Sequence, residues 1–174
     1  KMSKRKDGDA VWISTYKEKG YLPEALVNYL AFLGWNPKTT QEIFSLQELI
    51  DLFDLANVHK AGAVFDLERL DYVNSLYIRK LSATDLAEKS LPFLCKKDLI
   101  TVTHNALHTQ SGREVSRELL ARVVGLEQER MKHLDEVGES TRFFFLEDVS
   151  FSAEDLIWKK SDKTKTQEAL FDVY

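Results

Sequence analysis

Tyr21-Leu22-Pro23-Glu24-Ala25-Leu26-Val27-Asn28-Tyr29-Leu30-Ala31-Phe32-Leu33-Gly34 decides the fold class. Leu22, Leu26, Tyr29, Leu30 and Leu33 recur at helical spacing and make one apolar stripe. Pro23 fits the first helical position, where its missing N–H would have no partner anyway. Gly34 supplies a C-terminal stop and Pro37 prevents resumption.

The same grammar repeats downstream. Ser45-Leu46-Gln47-Glu48 has the form of a capping box, followed by Leu46, Leu49, Ile50 and Phe53 as a buried face. Asp66 reads as an N-cap ahead of the stripe Leu67, Leu70, Val73, Leu76 and Tyr77, which predicts a helix to about Lys80. Ser82 to Asp85 start another helix, limited or kinked by Pro92. Residues 96–112 are polar with scattered apolar positions and carry no clear period. Residues 113–124 and 126–137 read as two helices, or one bent near Gly125, with Leu119, Leu120, Val123, Leu126, Met131 and Leu134 facing inward. Phe143-Phe144-Phe145-Leu146 reads as a buried connector, and Ser152 as the cap of a short helix. Residues 159–165 read as a loop or a helix start, and Gln167 to Tyr174 as the beginning of a final helix. The expectation is an all-α chain of two helical subdomains, divided near residue 81.

The 174 residues can bury a real core; 44% are hydrophobic and 30% charged, as in ordinary globular domains. No apolar run reaches membrane-spanning length, and the basic, polar start has no secretory apolar stretch. Cys95 is the single cysteine, so neither an intrachain disulfide nor a cysteine metal site is available, which suits a reducing, cytoplasmic setting. His104 and His108 have the spacing of a two-histidine site, but no carboxylate or cysteine is placed to complete it, and no metal site is expected. No Walker loop, nucleophile elbow or dinucleotide loop is present.

The net charge of −4, taken alone, argues weakly against nucleic acid, but its distribution matters more than the sum. Lys1, Lys4, Arg5 and Lys6 cluster at the start, and Lys159, Lys160, Lys163 and Lys165 near the end. Arg113, Arg117, Arg122, Arg130 and Lys132 share one stretch with interleaved Glu114, Glu118, Glu127 and Glu129. That stretch reads either as an RNA-facing surface or as a solvated helix face of i,i+4 pairs. Trp12 and Trp35 read as packing residues.

The run Lys1-Met2-Ser3-Lys4-Arg5, then Gly20 to Ala31 and Leu33-Gly34-Trp35, resembles bacterial-type glutamyl-tRNA synthetases of class I. So do Phe44 to Leu49, Ala63 to Asp66, Leu70 to Asn74 with Tyr77-Ile78-Arg79, Gln128 to Leu134, and Phe143 to Phe145. The likeness is strong through residue 80 and looser afterwards.

The resemblance implies a division of the chain. Residues 1–5 are the signature loop, 6–81 a helical stem-contact domain, and 82–174 the first part of the anticodon-binding helical region. It implies a parent that joins glutamate to tRNA through a glutamyl-adenylate, with ATP and Mg²⁺. Lys1, Ser3, Lys4 and Arg5 would bind ATP, Lys4 first and Lys1 second neutralising the leaving pyrophosphate. The nucleotide-binding fold with its HIGH-like motif is expected before residue 1, so the chain alone is expected to be inactive. Arg113, Arg117, Arg130, Lys159 and Lys160 are the candidates to meet tRNA. The expected partner is glutamate tRNA, and possibly glutamine tRNA, bound by a monomer, with no DNA or membrane partner. The alternative is a free-standing helical RNA-binding or protein-interaction module without catalysis.

Overall fold

A computed structural model of the protein describes residues 12–59, 62–147, 157 and 162–171. Among them are seven α-helices and one small antiparallel sheet. The helices are α1 (Ile13–Lys19), α2 (Pro23–Gly34), α3 (Leu46–Leu52), α4 (Leu67–Lys80), α5 (Ala83–Lys96), α6 (Arg117–Gly125) and α7 (Lys163–Phe171). The sheet lies between α5 and α6, in the order β1 (Thr101–Thr103), β2 (Ala106–His108), β3 (Glu114–Val115).

The helix starts follow the cap chemistry. At α3, Ser45 Oγ accepts from the Glu48 N–H at 3.2 Å, and the Glu48 carboxylate accepts from the Ser45 N–H at 2.6 Å. Asp66 and Ser82 cap α4 and α5 through the N–H groups of Arg69 and Asp85. Pro92 does not end α5, which runs through it to Lys96.

Gly20 ends α1 with φ +80°, a conformation L side chains avoid. A Cβ there would lie 2.6 Å from Leu134 Cβ. Gly20 is therefore required both by the turn and by the close approach of a segment more than a hundred residues away.

The main core joins Leu22, Ala25 and Tyr29 of the α2 region to Leu70, Val73 and Ile78 of α4. It continues into Leu86 and Leu94 of α5, Leu120, Val123 and Val124 of α6, and Met131, Leu134 and Val137 beyond. A smaller cluster of Trp35, Phe44 and Leu49 sits at the other end of α2. Asn28, buried on α2, serves that end by accepting from the Phe44 N–H at 3.0 Å and donating to Glu42 O at 2.9 Å.

Several expectations are corrected. Leu30, Leu46, Ile50 and Phe53 are exposed, and of the α3 stripe only Leu49 is buried. Leu119 and Leu126 are likewise exposed. Trp35 is buried, as expected, and Trp12 is about half-covered.

Residues 96–112 are not irregular. Thr101 to His108 form a hairpin with Val102 opposite Leu107, turning at His104 and Asn105, both at positive φ. His104 thus sits in a β-turn and His108 on a strand, so the helical spacing that could pair them is not realised.

The second helix expected over 126–137 does not form. A turn follows α6, and a 3-10 turn covers Leu134–Glu136. Polar side chains there find partners that a helix would deny them, as described next.

Candidate nucleic-acid interface

Two regions stand out: a polar joint inside the molecule and an arginine-bearing face on its outside. The joint begins where α1 turns into α2. Asn74, buried on α4, accepts from the Leu22 N–H at 2.8 Å and donates to Lys132 O at 2.5 Å. The Leu134 N–H donates to Gly20 O at 3.2 Å. Tyr21 donates its hydroxyl proton to Asp71, and its ring lies 5.1 Å from that of His133. Burial, reinforced by this bond to Asp71, pushes the Tyr21 hydroxyl pKa well up, so it remains a donor. His133 Nδ1 lies 2.9 Å from Asp135 Oδ1, and its Nε2 faces Asp71 at 3.8 Å.

The segment after α6 completes the joint. Gln128 donates to Ile78 O and Leu81 O, both at 2.9 Å, and so satisfies carbonyls left open at the C-terminus of α4. Arg79 donates to Glu129 O at 2.9 Å. Glu127 is 3% exposed; its carboxylate accepts from the N–H groups of Gly138 and Ser140 and from Ser140 Oγ, each at 2.7 Å. Lys97 Nζ donates to Val137 O at 2.8 Å.

The outer face is built differently. Arg113 precedes β3, where the turn from Thr109 to Gly112 delivers it: the Thr109 N–H donates to Arg113 O at 2.9 Å, and Gly112 has φ +86°. Its guanidinium donates to Phe144 O at 2.5 Å. Arg117 opens α6 and donates to Asn105 Oδ1, in the β1–β2 turn, at 3.3 Å. Arg130 lies past the far end of α6, a nine-residue helix and so roughly 13 Å long. The structure therefore places Arg113 and Arg117 on either side of β3, on different partners, and leaves Arg130 beside the joint.

Among the described residues, no carboxylate pairs with Arg113, Arg117, Arg122 or Arg130. Of the four interleaved glutamates, Glu114 is exposed on β3 and the other three have partners of their own. Glu127 is buried, Glu129 pairs with Arg79 at 3.4 Å, and Glu118 turns back on its own N–H and on Ser116 at the α6 cap, which, with a smaller attraction to Arg117, holds its carboxyl below the usual range. The expected signature loop, Lys1, Ser3, Lys4 and Arg5, lies outside the described residues, as do Lys159 and Lys160. Cys95 is half-buried and burial pushes its thiol pKa up, away from nucleophilic use. Among the described residues no group of histidines, cysteines and carboxylates is placed to hold a metal.

Sequence reasoning read Gln128 to Leu134 as a family feature without its physical role. The structure gives that role as the joint. It also missed the outward display of Phe143 and Phe144, 48% and 38% exposed, beside Phe145 at 2%. A run of three aromatics has no period by which to tell inward from outward.

Arg113 and Arg117 thus flank β3 with only neutral hydrogen-bond acceptors, and the comparisons place this part of the chain in a family. Residues 85–174 match the family described as anticodon binding domain, and residues 1–72 match that of tRNA synthetases class I (E and Q), catalytic domain. The chain belongs to the anticodon-binding-domain family.

Its curated relatives include the glutamate–tRNA ligases of Dehalococcoides mccartyi strain 195, 41% identical over 155 residues, and of Carboxydothermus hydrogenoformans, 39% identical over 154. These matches cover 89% and 88% of this chain but 30% of each relative, so the chain spans under a third of their length. Among solved structures, the glutamate tRNA ligase of Elizabethkingia meningosepticum, in complex with its amino acid, matches with TM-score 0.69 and 32% identity over 92% of this chain and 32% of its own. The glutamate–tRNA synthetase of Elizabethkingia anophelis matches with TM-score 0.69 and 28% identity, covering 100% of this chain and 39% of its own.

Proposed function

We propose that this chain is the tRNA-binding portion of a glutamate–tRNA ligase. In this reading residues 82–174 meet the anticodon arm and residues 6–81 brace the inner corner of the tRNA. The family matches, one ending at residue 72 and the other starting at 85, support a division in that interval. The observation that carries the reading is the set of unpaired guanidiniums on a domain of the anticodon-binding family. A guanidinium engaged only by neutral acceptors keeps its charge for phosphate.

The parent activity belongs to the same proposal: ATP-dependent attachment of glutamate to tRNA, in the cytoplasm, by a monomeric enzyme. Residues 1–5 offer two ammonium groups, a hydroxyl and a guanidinium, a donor set that fits the phosphates of ATP. Lys4 and Lys1 would stabilise charge developing on the leaving pyrophosphate. The pentapeptide holds no carboxylate, so Mg²⁺ is assigned to none of its residues. No helix among the described residues is long and apolar enough to cross a membrane.

Binding of this chain to glutamate tRNA across a salt series tests the reading. Affinity is expected to fall steeply as salt rises, and Arg113→Ala or Arg117→Ala should each reduce the log–log slope by about 1 if the residue meets a phosphate. A salt-independent affinity would refute phosphate contact.

A further inference from the structure

Phe143 and Phe144 are exposed without an account in the fold. They sit in the 3-10 turn Arg142–Phe144, with ring centroids 4.4 Å apart and planes inclined by 29°. The pair is stacked, and both rings present surface to solvent.

The turn that displays them is anchored from below. Phe145 is buried in the main core, and the Phe145 N–H donates to Arg142 O at 2.9 Å. The Phe144 N–H donates to Thr141 O at 3.0 Å. Just upstream, the buried Glu127 carboxylate holds Gly138 and Ser140. The turn that carries the rings is thus held by its supports, which reduces the ordering cost of receiving a ligand.

Cations border the pair. Arg142 precedes it and is exposed, and Arg113 reaches the Phe144 carbonyl at 2.5 Å. Neither has an ion-pair partner among the described residues. Exposed aromatic surface bordered by guanidiniums without an ion-pair partner suits a planar, uncharged ring system attached to a phosphate chain. Unpaired bases of RNA have that chemistry, and aromatic side chains receive them by stacking. A paired helix keeps its bases stacked inside and cannot use such a face.

We propose that Phe143 and Phe144 form a stacking platform for an unpaired base of the bound RNA, with Arg113 and Arg142 on the adjoining phosphates. The proposal rests on the tRNA-binding reading and adds a base contact to it.

The test uses the 174-residue chain and two RNAs of equal length. One is a stem-loop with 2-aminopurine among its unpaired loop bases, and the other is a fully paired duplex. The chain is expected to quench the 2-aminopurine and to prefer the stem-loop. Phe143→Leu/Phe144→Leu, which keeps apolar bulk but removes the rings, should lose the quenching and weaken stem-loop binding about five- to 150-fold, leaving duplex binding unchanged. Phe143→Tyr/Phe144→Tyr should retain both. Should the double leucine variant fail to fold, the single Phe143→Leu, at the more exposed ring, decides by the same readouts.

Equal quenching and affinity in the leucine variant overturn the platform. So does unchanged RNA binding with a lowered melting temperature, which would make the pair a packing surface for another protein segment. If the unaltered chain binds neither RNA, the tRNA-binding reading fails with it.

Discussion

The joint and the arginine face use similar residues to opposite ends. At the joint, Glu127, Gln128, Asn74 and Arg79 spend their hydrogen bonds on backbone groups, and little capacity is left for a ligand. On the face, Arg113 and Arg117 each donate one bond to a neutral oxygen and keep their charge. Charge that is consumed internally fixes geometry, and charge that is left over is available for binding. The interleaved Arg and Glu residues of 113–132 look alike in sequence. The structure separates them by where their partners lie.

That contrast is most exposed to test at Glu127. Glu127→Ala would strand the N–H groups of Gly138 and Ser140 inside the molecule, at an expected cost of about 3–5 kcal/mol. Urea unfolding would measure it. A loss below about 1 kcal/mol would mean that the loop 138–140 is held by something else, and that the joint is no more demanding than the surface.

Asn74→Ala ranks next. It removes the acceptor of the buried Leu22 N–H and the donor to Lys132 O, and should cost about 2–3 kcal/mol. Asn74→Asp sharpens the comparison, since it keeps the acceptor for Leu22 and loses only the donor. It should destabilise even so, because a carboxylate would then face the Lys132 carbonyl. If the two variants unfold at the same denaturant concentration as the unaltered chain, the joint does not bind the two halves as described.

How far the sequence disclosed this arrangement depended on the range of the interactions. Local signals were readable. Ser45, Asp66 and Ser82 start helices because each cap is a contact to the N–H three residues on, and Pro23 starts one because its fixed φ and missing N–H suit the first helical position. Periodicity was a weaker guide. Leu46 and Ile50 obey the helical stripe yet remain exposed, since a stripe shows which residues share a face but not whether anything covers it.

The hairpin at 101–108 does carry local signals, weak ones: the β-branched Thr101-Val102-Thr103 and an Asn105 tolerant of positive φ. The failed helix over 126–137 was not legible locally. Its reversal depends on Ile78, Leu81, Gly138 and Ser140 accepting or supplying bonds, contacts as much as 50 residues apart in sequence. Of the candidate site, residue types were readable. Which arginines remain unpaired was not, because that depends on where each glutamate is held.

The smallest effect lies at the cap of α3, where a charge is half consumed. The Glu48 side chain is fully exposed, yet its carboxyl is held below the ordinary value of 4.5, first by the Ser45 N–H and then by the Ser45 hydroxyl. A carboxyl whose folded pKa is lowered stabilises the fold above its unfolded pKa, and that contribution fades as pH falls through the lower, folded value. Ser45→Ala should cost about 1 kcal/mol near neutral pH by removing the hydroxyl acceptor. NMR titration should then find the Glu48 midpoint raised but still below normal, since the Ser45 N–H bond survives the substitution. The stability gap between variant and unaltered chain should narrow as pH drops below the ordinary glutamate range, because protonated Glu48 no longer rewards a well-ordered cap. A gap that holds constant to pH 3 would show the hydroxyl acting without the carboxylate. Exposed charge in this molecule would then serve binding alone, as proposed for Arg113 and Arg117, and the cap would stand on a neutral hydrogen bond.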